Sequence, residues 1–179
     1  MVLFVYFLFL LVLGVSVAFS LIFIGRQVLF ATTILHGPVF VPSADDKLAS
    51  MLKLAKPKKG EKIVDLGSGD GKVVFALAKL GYKVDGIEIN PILVNRSRKT
   101  AKELGLENLV TFKRISFWNV DFSEYDLLLL YGTTYIMKKL EKKLQSELKP
   151  GARIVSNYFQ FPTWKAQTQK NDVRLYSQH

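Results

Sequence analysis

The sequence contains no cysteine, which removes disulfide-stapled scaffolds, cysteine-ligated zinc, iron-sulfur clusters and thiol nucleophiles together. Its two histidines, His36 and His179, stand alone with no partner at metal-ligand spacing, and neither is assigned a role. Charge is missing from one long stretch: residues 1–25, MVLFVYFLFLLVLGVSVAFSLIFIG, carry no charged side chain. That stretch accounts for a chain that is 49% hydrophobic with mean hydropathy +0.19. The remainder has the composition of one ordinary globular domain, with no sign of a repeat array or a disordered tail.

Of the first 25 residues, 21 are apolar and 18 are Leu, Ile, Phe or Val. As a helix they extend roughly 37 Å, more than the roughly 30 Å hydrocarbon core of a bilayer. Insertion is favoured by several kcal/mol even with Gly14, Ser16, Ser20 and Gly25 discounted. The rival reading is a cleaved signal peptide with Ser16 and Ala18 at the cleavage site. Such a peptide needs a basic start and a short apolar core. Here no Lys or Arg precedes Arg26, and the apolar run passes the supposed site. All 25 basic residues follow the span, so the positive-inside rule places the domain on the cytoplasmic side, or the matrix side in a mitochondrion.

The net charge is +10. Lys53, Lys56, Lys58, Lys59 and Lys62 crowd one stretch, and Lys138, Lys139, Lys142, Lys143 and Lys149 another. These are either solvated faces or surfaces for anionic headgroups of a lipid bilayer. Nucleic acid is the least favoured partner, because the lysines lack arginine-aromatic interleaving.

Beyond the span, residues 26–43 read as a linker and lead-in, broken by Thr32, Thr33, Gly37, Pro38 and Pro42. Residues 44–179 read as the domain. Ser43 is the expected cap of a helix that Pro57 stops. Strands are then expected at 62–66, 83–89, 110–113, 126–131 and 153–158, and helices at 72–80, 91–104 and around Ile136 to Leu148. Asn90 caps the second of these helices, Pro91 opens it and Gly105 follows it. Strands alternating with helices predict an α/β sheet, mostly parallel, with helices on both faces. A closing antiparallel hairpin is expected from 165–168 and 172–176 around Gln169-Lys170-Asn171.

The most specific local signal is Ile63-Val64-Asp65-Leu66-Gly67-Ser68-Gly69-Asp70-Gly71, with Glu88 ending the next strand. Glycines after a first strand let a ligand approach bare backbone, and an acid after the second strand can accept both ribose hydroxyls. The spacing is G-x-G-x-G rather than the dinucleotide G-x-G-x-x-G. The flanking acids make a poor pyrophosphate cradle but suit a cationic cofactor, S-adenosyl-L-methionine. The pattern resembles motif I of the seven-strand methyltransferases, against the alternatives of a structural turn or an NAD site.

Five further segments extend the likeness: Gly37-Pro38-Val39-Phe40-Val41-Pro42-Ser43, Gly86-Ile87-Glu88-Ile89-Asn90, Leu93-Val94 with Ser97-Arg98, Phe117-Trp118-Asn119-Val120-Asp121, and Phe159-Gln160-Phe161-Pro162-Thr163-Trp164. With Leu140 to Leu144, the chain from Gly37 to its end resembles the small membrane-anchored protein-lysine methyltransferases. Eukaryotic members of that family modify the ATP synthase c subunit and the ADP/ATP carrier. The resemblance implies a Rossmann-like seven-strand class I methyltransferase fold preceded by one transmembrane helix. It implies that Asp65, Gly67, Gly69, Asp70 and Gly71 line the methionine end of the cofactor, Glu88 holds the ribose, and Phe40 to Ser43 cover the site. Ser68, Asn90, Ser116 and Phe117 complete the expected cofactor set, although Ser116 stands where the family has an acid near the adenine amino group.

Asp70, Tyr131 and Trp164 are the candidate catalytic residues, and Phe159, Phe161 and Trp164 could form an apolar channel for a lysine stem. Tyr131, Thr133 and Tyr135 follow the fourth strand, where acceptor-facing groups lie in this fold, but core packing explains aromatics there equally well. The absence of an Asn-Pro-Pro-Tyr run there argues against an amino-methylating nucleic-acid enzyme. The expected function is methylation of a lysine on a membrane or membrane-adjacent protein. The alternatives are a small-molecule or lipid methyltransferase and a non-catalytic binding module.

Overall fold

The structure, a computed structural model, describes the backbone of residues 1–36 and 45–179, with side chains over 1–28 and 46–179. The chain divides into two compact units, Met1–His36 and Gly37–His179.

Helix α1 (Val2–His36) makes up the first unit. Its stretch Val2–Val28 has mean hydropathy 2.9 and is long and apolar enough to cross a membrane by length and composition. Apolar residues lie on every side of it, so it has no face suited to water. The two serines are satisfied internally: Ser16 Oγ donates to the Leu13 carbonyl at 2.8 Å and Ser20 Oγ to that of Ser16 at 2.9 Å. Neither hydroxyl is left unpaired in apolar surroundings. The helix continues through residues 26–36, where the sequence pattern predicts the start of a broken lead-in. Threonine in a helix costs only a few tenths of a kcal/mol, and the stronger breakers Gly37 and Pro38 follow the last helical residue.

The second unit opens with α2 (Asp45–Ala55) and then alternates: β1 (Ile63–Leu66), α3 (Lys72–Ala78), β2 (Val84–Glu88), α4 (Pro91–Glu103), β3 (Val110–Arg114), a 3-10 turn (Phe117–Asn119), β4 (Leu127–Tyr131), α5 (Thr134–Glu147), β5 (Arg153–Asn157), β6 (Thr168–Lys170) and β7 (Val173–Ser177). One seven-stranded sheet has the order β3-β2-β1-β4-β5-β7-β6. The first five in that order are parallel; β7 runs antiparallel to β5 and β6 antiparallel to β7.

Every residue of β1 is buried, as is Leu127 to Leu130 of β4, the signature of strands covered on both faces. One face packs Ile63, Leu127 and Leu129 against α2, α3 and α4 through Met51, Val74, Leu77 and Val94. The other packs Val64, Leu66, Leu128 and Leu130 against α5 and the loop aromatics Phe117, Phe122 and Phe161. Helix α4 starts as its sequence dictates, with Asn90 Oδ1 accepting from the Ile92 amide at 2.9 Å and Pro91 in the first turn.

The closing hairpin lies a few residues later than expected. Strand β6 is Thr168–Lys170, and the connection is Asn171-Asp172, with φ of 48° and 63°. Two consecutive left-handed residues make the tight turn that matches strand twist, and Asn and Asp tolerate that conformation best among non-glycines. Lys47 of α2 donates to the Asn171 carbonyl at 2.7 Å and pairs with Asp172 at 3.0 Å. The Asn171 amide donates to Ser50 Oγ at 3.2 Å. The last hairpin is thereby fastened to the unit's first helix.

Candidate functional site

The carboxyl ends of β1, β2 and β3 lie side by side, and the loops leaving them carry most of the residues singled out by sequence. After Leu66 the chain turns sharply: the amides of Gly67 and Ser68 both donate to the Ile87 carbonyl, at 2.8 and 3.0 Å. Gly67 has φ 72° and open space where a Cβ would point, so its backbone faces an approaching ligand bare. Gly71 has φ 84°, and a Cβ there would stand 2.7 Å from the Phe75 ring and 2.8 Å from that of Phe112. The first glycine opens the turn, while the last lets α3 pack against β3.

Glu88 ties this turn to its neighbour. It is 9% exposed, with Oε2 accepting from the Gly69 amide at 3.1 Å and Oε1 from the Asn90 amide at 2.7 Å. Each carboxylate oxygen keeps a second lone pair for a ligand hydroxyl. Ser97, fully buried on α4, donates to the Gly69 carbonyl at 3.2 Å and pins the turn from the helix side. Sequence alone gives Ser97 no such role, because the contact spans two elements. The Ile115 amide donates to the Glu88 carbonyl at 3.2 Å, bringing the next two residues, Ser116 and Phe117, beside the loop that leaves β2. Ser116 caps the 3-10 turn by position but makes no side-chain cap bond. The Phe117 ring is buried against Trp118, centroids 4.7 Å apart.

Three carboxylates share this small region. Asp65, at the end of β1 and 5% exposed, has its pKa pushed up to about 7, first by burial and then by the charges of Glu88 and Asp70. Asp70 is half-buried, and its Oδ1 accepts from the Lys72 amide at 3.4 Å. The local field is therefore negative and is relieved by a cation.

Three buried side-chain polar atoms among the described residues have no hydrogen-bond partner: Ser68 Oγ, Thr133 Oγ1 and Asn157 Oδ1. They stand just past β1, just past β4 and at the end of β5, all on the same sheet edge. Thr133 holds the cap position of α5, yet its hydroxyl makes no cap bond. Orphaned polar atoms are costly, and their gathering on one edge fits a polar ligand there. A negatively charged turn with bare backbone and an acid bridging two loops fits S-adenosyl-L-methionine, whose sulfonium and amino groups are cationic.

Tyr131, the last residue of β4, stands at this edge with its ring 5.7 Å from that of Phe159. Trp164 is not brought here. Its indole Nε1 donates to the Ser177 carbonyl at 3.2 Å, and Ser177 pairs with Arg153 at the opposite end of β5. Its ring packs near Phe161 and Tyr176, and Glu141 accepts from its amide. The aromatic run after β5 is thus divided: Tyr158 and Phe159 stay at the edge, while Phe161, 3% exposed, enters the core and the partly buried Trp164 packs against it. Phe40 and Ser43 lie outside the described residues. Asn157 carries no signal in the sequence, since its orphaned carbonyl is a property of placement. The lysine clusters are only partly free: Lys143 pairs with Glu147 and Lys149 with Asp126, whereas Lys138 and Lys142 are exposed and make no ion pair among the described residues.

A family model described as the ANTKMT methyltransferase domain matches residues 65–168. The chain is 38% identical over 125 residues to the ATP synthase c-subunit lysine N-methyltransferase of Homo sapiens, covering 70% of this chain and 53% of that protein. It is 31% identical over 131 residues to a protein-lysine N-methyltransferase of Saccharolobus islandicus (strain REY15A), covering 72% and 81%. Among solved structures, an RNA methyltransferase from Salinibacter ruber in complex with S-adenosyl-L-homocysteine superposes with TM-score 0.71 at 34% identity, over 77% of this chain and 92% of that one. The chain spans about half the length of the first curated relatives it matches.

Proposed function

The chain belongs to the ANTKMT methyltransferase domain family, and on that footing we propose that it is an S-adenosyl-L-methionine-dependent protein-lysine N-methyltransferase acting on a membrane or membrane-adjacent protein. The observation that carries the cofactor is the cluster of Asp65, Asp70 and Glu88 around a glycine turn with one open side. S-adenosyl-L-methionine, when bound, supplies a methyl group on a positively charged sulfur. Asp65 and Asp70 hold the cationic amino-acid end against the backbone of Gly67 to Gly71, with Ser68 Oγ finding a partner there. Glu88 accepts the ribose hydroxyls while keeping its two backbone bonds, and Asn90, Ser116 and Phe117 border the nucleoside.

The acceptor must arrive as a neutral amine, although free lysine has a pKa of roughly 10.4. Desolvation beside Tyr131 and Phe159 favours the neutral form. Holding that nitrogen in line with the methyl group makes orientation the main catalytic contribution. Residues 1–25 anchor the chain as a single span, the lead-in connects it, and the domain lies on the cytoplasmic or matrix side. Exposed lysines such as Lys138 and Lys142 draw it toward anionic headgroups.

One observation favours a second reading, methylation of RNA: the likeness to the Salinibacter ruber enzyme extends over 92% of that chain. Against it, β4 ends in Tyr131-Gly132-Thr133-Thr134, without the Asn-Pro-Pro-Tyr run that receives a base amine. The deciding experiment incubates the full chain with membranes of a strain lacking the gene and tritiated S-adenosyl-L-methionine. Label is expected in protein and mapped to lysine; label in RNA or in the lipid fraction would reject the protein-lysine reading.

A further inference from the structure

Asn157 ends β5 beside Tyr131 of β4, is 3% exposed, and its side-chain carbonyl has no partner. The chain leaves it through Tyr158 at φ 67°, a conformation that a tyrosine keeps only when its surroundings impose it. Four hydrogen bonds impose it here. The Tyr158 amide donates to the Asp172 carbonyl at 2.9 Å, and Arg174 Nη1 to the Tyr158 carbonyl at 2.7 Å. The Phe159 amide donates to the Asn157 carbonyl at 2.9 Å, and Ser156 Oγ to the Phe159 carbonyl at 2.5 Å. The forced turn lays the Phe159 ring 5.7 Å from Tyr131 and 5.0 Å from Tyr158. A buried residue at the foot of a strained turn whose side-chain carbonyl is bonded to nothing is costly for the fold alone. A ligand N–H completes it.

We propose that Asn157 Oδ1 accepts a hydrogen bond from the amine nitrogen being methylated, with Tyr131 and Phe159 flanking the acceptor's aliphatic stem. This rests on the methyltransferase reading above. Tyr131 lies one residue beyond Leu130, which pairs with Leu66. Asn157 is therefore level with Gly67 and two strands away, roughly 10 Å, leaving room for the reacting atoms over β4. The choice of an amide rather than a carboxylate follows from the chemistry. A carboxylate would favour the ammonium form, whose nitrogen has no electron pair to give. A neutral carbonyl takes one N–H and leaves the lone pair free. That pair forms the new N–C bond as the methyl carbon's bond to sulfur breaks, its electrons staying on sulfur; the methylated ammonium then loses a proton to water. Asn157 positions the nucleophile and takes no proton.

The test uses the full chain in detergent micelles with S-adenosyl-L-homocysteine, titrated with n-butylamine at mildly alkaline pH. Nitrogen–proton correlation NMR follows the Asn157 side-chain amide, identified by its loss in Asn157→Leu. A saturable shift of that signal is expected in the wild type. Asn157→Leu removes a buried side-chain carbonyl that has no partner, so it should raise Tm by about 2–4 °C. It should keep S-adenosyl-L-homocysteine affinity and slow transfer to n-butylamine by about tenfold or more. An unmoved Asn157 signal, a lowered Tm or unchanged transfer would overturn the proposal while leaving the cofactor reading intact. Failure of the wild-type chain to bind S-adenosyl-L-homocysteine would reject the cofactor reading itself. If Asn157→Leu fails to fold, Asn157→Ala identifies the signal and the wild-type titration decides.

Discussion

The two halves of the sheet record their chemistry in different ways. Around β1 to β3 the site is written in contiguous letters: an acid, spaced glycines and an acid at the next strand's end, each acting through backbone geometry within a few residues. Around β4 to β7 nothing comparable is spelled out. Asn157, Tyr131 and Thr133 become a group only through strand register and a forced turn at Tyr158, and Trp164, equally aromatic in sequence, goes to the opposite end of the sheet. A ligand held by bare backbone constrains local sequence tightly, whereas one held by side chains from several strands constrains three-dimensional placement.

Substitutions should separate the halves accordingly. The largest effect is expected at Gly71→Ala, where a positive φ and contact with Phe75 and Phe112 combine. Destabilisation of about 2–4 kcal/mol should appear in denaturant unfolding. Glu88→Ala removes a charged acceptor shared by two amides and, in the proposed reading, by the cofactor's ribose. Cofactor affinity should fall by about ten- to more than a hundredfold, each charged bond being worth roughly 1.5–3 kcal/mol, as read by calorimetry; unchanged binding would erase the distinction drawn for the first half.

Asp65 gives a pH test. Its carboxyl is raised to about 7 in the folded chain from roughly 3.9 when unfolded. The folded state therefore binds more protons between those values, and the ligand-free protein should lose stability as pH rises from about 4 toward 7. Affinity for the cationic cofactor should rise over the upper part of that window as the acid ionises. Asp65→Asn should flatten both trends, and a wild-type melting temperature that climbs steadily from about pH 5 to 8 would contradict the assignment. Trp164→Phe loses the bond to Ser177 and should cost about 1 kcal/mol with cofactor affinity unchanged. A selective loss of transfer would move Trp164 back to the site. The smallest effect belongs to Ser116→Asp, expected to tighten cofactor binding by up to about tenfold through one added acceptor.

Much of the fold was legible because its signals are local. Asn90-Pro91 opens α4 and Gly105 follows its end. Asp65 to Gly71 ends β1 where its spacing predicts, and the apolar runs of β1 and β4 carry no polarity that a two-sided burial would forbid. The continuation of α1 to His36 was hidden because threonine weakens a helix without ending one. Strand β6 was hidden because Thr168, Gln169 and Lys170 are all exposed and show no alternation; only pairing with β7 makes them a strand. A closing hairpin was legible, but its turn was read at Gln169-Lys170-Asn171 and falls instead on Asn171-Asp172, the pair suited to two left-handed residues. Ser68 and Thr133 stood out by motif and position but not as unpartnered atoms, and Asn157 had no signal at all, since asparagine is an ordinary surface residue until a fold encloses it.

The bonds from α2 to the final hairpin also set an order in time. Lys47 meets Asn171 across 124 residues of sequence, so on the ribosome α2 emerges long before its partner exists. At about 5–20 residues per second the wait is roughly 6–25 s. Throughout that interval the apolar side of α2, including Met51 and Leu54, lacks part of its final cover. The domain's first helix therefore waits on its last turn, and the antiparallel margin of the sheet is the piece that ends the wait.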